Sequence, residues 1–335
     1  MLSPKENLLK DLRGDIPEYV PNYTMGSSRN GPPSSCLIEP ALVSRHKNLE
    51  SKVDIWGVEY VPTESTNGML IPKTHDFILD DIRKWRDVIK APSLEGVDWE
   101  KMVAADIKRH NLDQSKTAFE LGSHFGYFQL LMSFMGFTNG LCAMYEEPDE
   151  VKALLEFLCD FYCDVMEHYA AHCDPDIWNL ADDTAAWAAP FISPEMYREF
   201  LIPLYDRQAK IGRDRGLPIS MHNCGKSECF FDDLVKIGVS AWNPAQTCND
   251  LDSIKEKNGN RLVICGGWDG RGRLLEDDVT YEEIYDSVKN TLDRLTPGGG
   301  YVFMGFFLSA AGDMKTMKKN EMLYKAFDAL KNKYY

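Results

Sequence analysis

From residue 176 onwards, short apolar runs alternate with longer amphipathic stretches. The runs are DIWNLADD (176–183), LPISMHNC (217–224), VSAWNPAQ (239–246), RLVICGG (261–267) and GYVFMGF (300–306). Each has the length and β-branched or aromatic content of a strand. Each is followed by a segment with helical periodicity: SPEMYREFLIPLYDRQAKIGRDRG, FFDDLVKIG, DLDSIKEKNG, TYEEIYDSVKNTLDRL and TMKKNEMLYKAFDALKNKYY. Ser193 is placed to N-cap the first of these helices, with Pro194 at its first position. Five consecutive strand–helix units predict parallel strands joined by right-handed crossovers.

The first half is less regular. VDIWGVEYV (53–61) alternates like a strand or hairpin arm, and a helix opened by Asp80 and Asp81 ends at Pro92. Residues 117–137 begin as a short strand and continue as an apolar, buried helix. The longest helical pattern covers 146–172, with Pro148 at its start. Residues 1–50 are rich in Pro, Gly and Ser and predict an irregular N-terminal cap over one end of the domain. No repeat or linker divides the chain, so residues 1–335 are expected to form a single (β/α)8 TIM barrel with that irregular extension.

Composition narrows the function. The chain has 335 residues, 44% hydrophobic and 27% charged, the balance of a globular protein. Its net charge of −15 argues against nucleic acid and against anionic membranes as partners. No apolar run reaches the roughly 18 residues of a membrane span, and the N-terminus lacks a secretion-signal layout. A cytoplasmic location is the expectation. The nine cysteines are odd in number and irregularly spaced, which predicts reduced thiols.

Barrel active sites lie at the C-terminal ends of the strands. That rule selects Asp182, Asp183, His222, Cys224, Gln246, Cys265, Asp269 and the segment Gly305–Phe307. In the strand ending MHNCG, residues two apart face the same side. His222 and Cys224 would therefore point together to the barrel mouth, and imidazole with thiolate is a good zinc pair. The plainer alternative is a packed thiol beside a histidine bonded to a backbone carbonyl. Cys265 is the best further thiol, and Asp182 and Asp183 are candidate carboxylates, of which one at most faces the site. Asp182 and His222 are the candidates for acid–base roles, whereas Asp269 could simply brace the turn GGWDG. Cys229 and Cys248 rank lower as ligands. Trp56, Tyr60, Phe125, Tyr127, Trp187, Trp242, Trp268 and Phe306 or Phe307 crowd the same end. Core packing accounts for about half of them by their residue types. Trp56, Tyr60, Trp187, Trp268 and Phe306 are the candidates for holding a flat substrate.

DDTAAWAAPFISPEMYREFLIPLY, PISMHNCG, ICGGWDG and GGGYVFMGF resemble the uroporphyrinogen decarboxylase-like superfamily, which includes corrinoid-dependent methyltransferases. The resemblance covers most of the chain, and DIWGVEYV is similar to the methyltransferase branch. It implies a (β/α)8 barrel. The decarboxylase's Arg-rich N-terminal segment is represented only by Arg29 in VPNYTMGSSRNG, which counts against a tetra-acidic porphyrinogen and the lyase reading. Superfamily methyltransferases hold zinc with H-x-C and a distant cysteine after the last strand. His222 and Cys224 match; Phe306 and Phe307 stand where that cysteine is expected. A third ligand must then be Cys265 or an aspartate, or no metal binds.

The resemblance extends to the first methyltransferases of O-demethylase systems. It implies methyl transfer from an aryl methyl ether, or a similar methoxylated donor, to the Co(I) corrinoid of a partner protein. Zinc-dependent transfer from a methylcorrinoid to a thiol is the alternative within the class.

Overall fold

The computed structural model describes residues 1–23, 32–43, 53–63, 70–123, 126–308 and 313–335. Its strands are β1 (Ser35–Ile38), β2 (Tyr60–Pro62), β3 (Leu70–Pro72), β4 (Ala118–Leu121), β5 (Ile177–Ala181), β6 (Ile219–His222), β7 (Val239–Ala245), β8 (Val263–Gly266) and β9 (Tyr301–Val302). Its helices are α1 (Pro4–Leu12), α2 (Trp85–Val88), α3 (Trp99–His110), α4 (Tyr127–Glu146), α5 (Pro148–Cys173), α6 (Pro194–Phe200), α7 (Ile202–Arg213), α8 (Phe231–Lys236), α9 (Leu251–Asn258), α10 (Tyr281–Leu295) and α11 (Met314–Leu330).

Seven strands form one curled sheet in the order β1-β4-β5-β6-β7-β8-β9. Every neighbouring pair is parallel, as strand–helix–strand crossovers require. Beyond β9, the Phe303 N–H donates to the Pro21 carbonyl at 2.9 Å and the Tyr23 N–H to the Phe303 carbonyl at 2.8 Å. Pro21–Tyr23 thus occupies an eighth parallel position at the sheet edge. Among the described residues no ladder joins that segment to β1, so the architecture is consistent with a barrel without a continuous closing seam.

The alternation of side chains sorts two environments. Trp178, Leu180, Ile219, Met221, Trp242, Ile264 and Tyr301 belong to the main buried core, where the outer helices pack. Ala118, Ile177, Ala241, Val263, Cys265 and Val302 form a second apolar cluster with Leu8, Leu9 and Leu12 of α1. Helix α1 sits at the strands' N-terminal ends: Lys5 pairs with Asp176, just before β5, and Asp11 accepts from the Gly300 N–H, just before β9. This helix lies in the stretch expected to be irregular. Its signal was present in Ser3 and Glu6, which form a reciprocal capping box around Pro4.

Most expected helices form, and their starts follow the capping rules. Ser193 accepts from the Met196 N–H with Pro194 in the first turn, and Thr280 and Glu283 form a capping box on α10. The expected single helix after Ser193 is instead two, α6 and α7, broken at Leu201. Pro203 has no N–H to continue the ladder to residue 199, so it lies in the first turn of a new helix. The 53–61 segment supplies a hairpin arm: Val53 bridges Glu59, and β2 pairs antiparallel with β3. No helix among the described residues is long and apolar enough to cross a membrane.

Candidate active site

The C-terminal ends of β5 and β6 bring three possible ligand side chains together. Donor atoms of Asp183, His222 and Cys224 all lie within 4.8 Å of one another. Cys224 Sγ is 3.7 Å from His222 Nε2, and His222 Nε2 is 3.9 Å from Asp183 Oδ1. Ligands on a tetrahedral zinc would be separated by about 3.3–3.6 Å, given bonds near 2.0–2.3 Å. The two separations that involve His222 exceed that by a few tenths of an ångström, and the three donors stay within 4.8 Å of one another, so small side-chain rotations would bring them onto an ion. Its donors are nitrogen, sulfur and oxygen, a set zinc accepts. All three residues are partly buried, so a bound ion would remain reachable from the strand ends.

Local structure explains why these atoms converge. His222 and Cys224 are two apart on an extended segment, and Ala181 is in register with His222. Asp183, two residues beyond Ala181, therefore continues onto the same inner face. Its Oδ1 accepts from the Cys224 backbone N–H at 2.9 Å, and its Oδ2 accepts from Gln129 Nε2 at 3.0 Å. Gly225 turns the chain away with φ +82°, and a Cβ there would lie 2.2 Å from the Ala185 carbonyl oxygen. The turn is held by Gln246 Oε1, which accepts from the Gly225 N–H at 2.6 Å. Asn249 Nδ2 donates to the Gly225 carbonyl at 2.9 Å.

Burial pushes the Cys224 thiol well above its ordinary range, and the Asp183 carboxylate adds to that. A buried thiol beside an aspartate is a poor nucleophile by itself. A divalent cation would reverse this, because it stabilises the thiolate and the carboxylate together.

Several expected site residues are placed elsewhere. Asp182 is fully buried on the opposite face from Asp183. Its carboxylate accepts from the Phe128 and Gln129 backbone N–H groups at 2.8 and 3.0 Å and from the Tyr205 hydroxyl at 2.6 Å. It braces the start of α4, and burial pushes its pKa up to about 7 against those hydrogen bonds. Cys265 is not brought to the cluster. It lies among the aliphatic residues around α1, where burial holds its thiol well above the ordinary value.

The aromatic candidates divide. Trp56 is buried, 5.3 Å from Phe161 edge-to-face, and its Nε1 donates to the Tyr162 hydroxyl at 3.3 Å. Tyr60 is also buried, with its hydroxyl on Asp54 at 3.2 Å. Trp56 thus packs on α4 and α5, against Phe134 and Phe161, and both residues belong to the main buried core. Trp242 packs likewise against Phe231. Trp187, Trp268 and Phe306 stay at the strand ends: Trp187 and Phe306 are exposed, and Trp268 is half-buried, meeting Phe307 edge-on at 5.0 Å. The Arg271 guanidinium stacks on Trp187, 3.8 Å from its ring centre. Asp269 is occupied by Arg271 and by the Thr247 hydroxyl, which hold its carboxyl down at about 2. Gln246 is engaged with Gly225, Cys229 is exposed, and Cys248 is half-buried. Arg29 and Phe125 fall outside the described residues.

Two supporting residues were not singled out from the sequence, Gln129 and Asn243. A signal for Asp183 did exist: Ile177, Asn179 and Ala181 share its parity, while the large Trp178 and Leu180 take the other face.

A curled parallel sheet with three possible ligand side chains at its strand ends describes an α/β fold consistent with a barrel. The chain belongs to the uroporphyrinogen decarboxylase (URO-D) family, whose model matches residues 77–305. A methylated-thiol–coenzyme M methyltransferase of Methanosarcina mazei is 27% identical over 154 residues, 44% of this chain and 37% of the relative. The match thus spans little more than a third of that relative's length. A solved methyltransferase structure from Methanosarcina mazei superposes with a TM-score of 0.66 at 16% identity, covering 98% of this chain and 99% of the other. That likeness establishes the fold.

Proposed function

We propose that this chain is a methyltransferase that moves a methyl group from a methoxylated donor, an aryl methyl ether, to the Co(I) corrinoid of a partner protein, using zinc held by Asp183, His222 and Cys224. The observation that carries this reading is the convergence of those three donors at the ends of β5 and β6. An ether oxygen is a poor leaving group, and zinc bound here would supply Lewis acidity towards it. Asp183 stands in for a second thiolate, and a carboxylate is a harder, less electron-releasing ligand than sulfur. That exchange suits activation of an oxygen leaving group better than activation of a thiol. In the transfer, the cobalt electron pair forms the new bond to the methyl carbon. The C–O pair leaves with the phenolate, which takes up a proton from solvent. Trp187, Trp268 and Phe306 are exposed or half-buried at the strand ends and would pack against the donor's ring.

A second reading, transfer between a methylcorrinoid and a thiol, is favoured by the name of the Methanosarcina relative. A porphyrinogen lyase would need several cations for its carboxylates, and the sequence region matching the family's arginine-rich segment offers one arginine, Arg29. The test is to incubate zinc-loaded protein with reduced free cobalamin and either methoxyarenes or methylated thiols. Methylcobalamin with release of a phenol supports the ether reading, and turnover of methylated thiols alone supports the second. Zinc-loaded protein that transfers no methyl group, or protein that binds no zinc, overturns both.

A further inference from the structure

We propose that Asn243 is a positioning residue that fixes the tautomer of His222 and so aims its Nε2 at the cluster. His222 Nδ1 lies 2.7 Å from Asn243 Oδ1. The other end of the same amide is anchored, since Asn243 Nδ2 donates to Ser220 Oγ at 3.2 Å. In this arrangement the Asn243 NH2 group faces Ser220 Oγ and its carbonyl oxygen faces the imidazole. An imidazole that donates to that oxygen carries its proton on Nδ1, which leaves the Nε2 lone pair turned towards Cys224 and Asp183. Neutral histidine can carry its proton on either nitrogen, and the hydrogen bond made by one decides what the other can ligate.

Asn243 is well placed for the task. It is buried on β7, and its residue partner across the ladder is His222 itself. Ser220 precedes His222 by two residues on β6, so it faces the same interior. The three side chains form a short relay, Ser220–Asn243–His222, under the cluster. Ser220 and Asn243 are buried and His222 is half-buried, so none of the three side chains is an exposed surface one. A buried asparagine between two polar neighbours could be read simply as a satisfied core residue. The tautomer separates the roles, because a purely structural asparagine would leave the proton of His222 on either nitrogen.

This inference deepens the zinc reading and rests on it for its purpose, although the hydrogen-bond assignment itself does not require metal. The experiment uses the full chain labelled with 15N at histidine. In metal-free protein at about pH 8, well above an ordinary imidazole pKa near ~6.5, the ring nitrogen shifts report the tautomer. Wild-type His222 is expected to be protonated on Nδ1. Asn243→Leu should lose that preference and weaken zinc binding, measured by chelator competition, by about 10- to 100-fold. Asn243→Asp keeps an acceptor facing Nδ1 and should restore the tautomer. Ser220→Ala, which frees the amide to turn over, should shift it in part and provides a milder variant if Asn243→Leu does not fold. An Nε2-protonated wild-type ring, or an unchanged tautomer in folded Asn243→Leu or, where that does not fold, in Ser220→Ala, overturns the proposal. A changed tautomer with unchanged zinc affinity overturns its positioning role. Wild-type protein that binds no zinc overturns the metal reading instead, while the nitrogen shifts still decide the role of Asn243 in orienting the ring.

Discussion

Asp182 and Asp183 are consecutive residues whose carboxylates serve opposite sides of one strand. Asp183 Oδ1 lies 3.9 Å from His222 Nε2, whereas Asp182 accepts the Phe128 and Gln129 N–H groups at the head of α4. Strand geometry forces this division. The two positions should therefore fail in different ways when changed.

Asp183→Ala is expected to lose zinc affinity by more than about 100-fold, beyond the usual cost of an outer-shell change. Its loss of stability in metal-free protein should be smaller, about 1 kcal/mol, because the part-buried Cys224 N–H and Gln129 amide lose their acceptor. Asp182→Ala should cost about 3 kcal/mol of stability, because it leaves two helix-end N–H groups and the Tyr205 hydroxyl without their buried acceptor. Urea unfolding alongside metal titration of both variants checks the contrast. Equal zinc loss in the two would show that Asp182 acts at the centre after all.

The strand ends were legible in the sequence because period-2 runs between helices locate them, and the parity of H-x-C places His222 beside Cys224. Its third partner was only narrowed, to Cys265 or an aspartate. Distinguishing Cys265 from Asp183 requires knowing depth along the strand: Cys265 is inside β8, level with residues packed on α1, whereas Asp183 lies two residues past the end of β5. Local pattern carries little of that information. Trp56 and Tyr60 show another limit. An aromatic residue in such a segment has the same sequence signature whether it faces a site at the strand ends or, as Trp56 does, packs on α4 and α5. Helix α1 was missed for a weaker reason, since its capping box was present but surrounded by residues that favour irregular chain.

Gly225→Ala should unfold more readily and bind zinc poorly. The residue is left-handed, and the added methyl would meet the Ala185 backbone rather than a side chain that could move. The combined strain is expected to exceed about 2 kcal/mol. Because the turn follows Cys224 directly, relief of the clash would displace the thiol from His222. Denaturant unfolding and zinc stoichiometry test the two effects, and a variant as stable and as well loaded as wild type would contradict the geometry.

Cys265→Ala and Cys224→Ala offer a second contrast. The first removes a buried sulfur from an aliphatic cluster and should cost about 1–2 kcal/mol while retaining zinc. The second should retain most of the stability and lose the metal. Zinc content after gel filtration distinguishes them directly. Loss of zinc in Cys265→Ala would require a rearrangement of the interior that brings the thiol up from α1.

Stability should fall as pH rises from about 4 to about 7, because of Asp11 and of Asp182, both of whose carboxyls burial pushes up to about 7; the Asp11 share can be isolated. Its Oδ1 accepts from the Gly300 N–H at 2.8 Å, while its buried Oδ2 has no hydrogen-bond partner. Burial pushes its pKa up from 3.8 to about 7, with the Gly300 hydrogen bond and the Lys255 charge opposing. Lys255 itself donates to the Gly299 carbonyl at 2.6 Å, and the Tyr335 phenol and the Cys265 thiol also feel the Asp11 charge. Between those pH values the folded chain holds a proton on Asp11 that the unfolded chain has released. Folding is then increasingly opposed as pH rises, and the loss levels off above about pH 7 at no more than about 4 kcal/mol. Asp11→Asn keeps an oxygen for Gly300 and stays neutral, so its stability should be nearly flat across the window from this source. The variant should gain on wild type most at about pH 8 and least at about pH 5. Parallel urea titrations at the two pH values measure that difference. Identical pH profiles for the two proteins would place a charged, compensated Asp11 in the folded state and remove it as the cause.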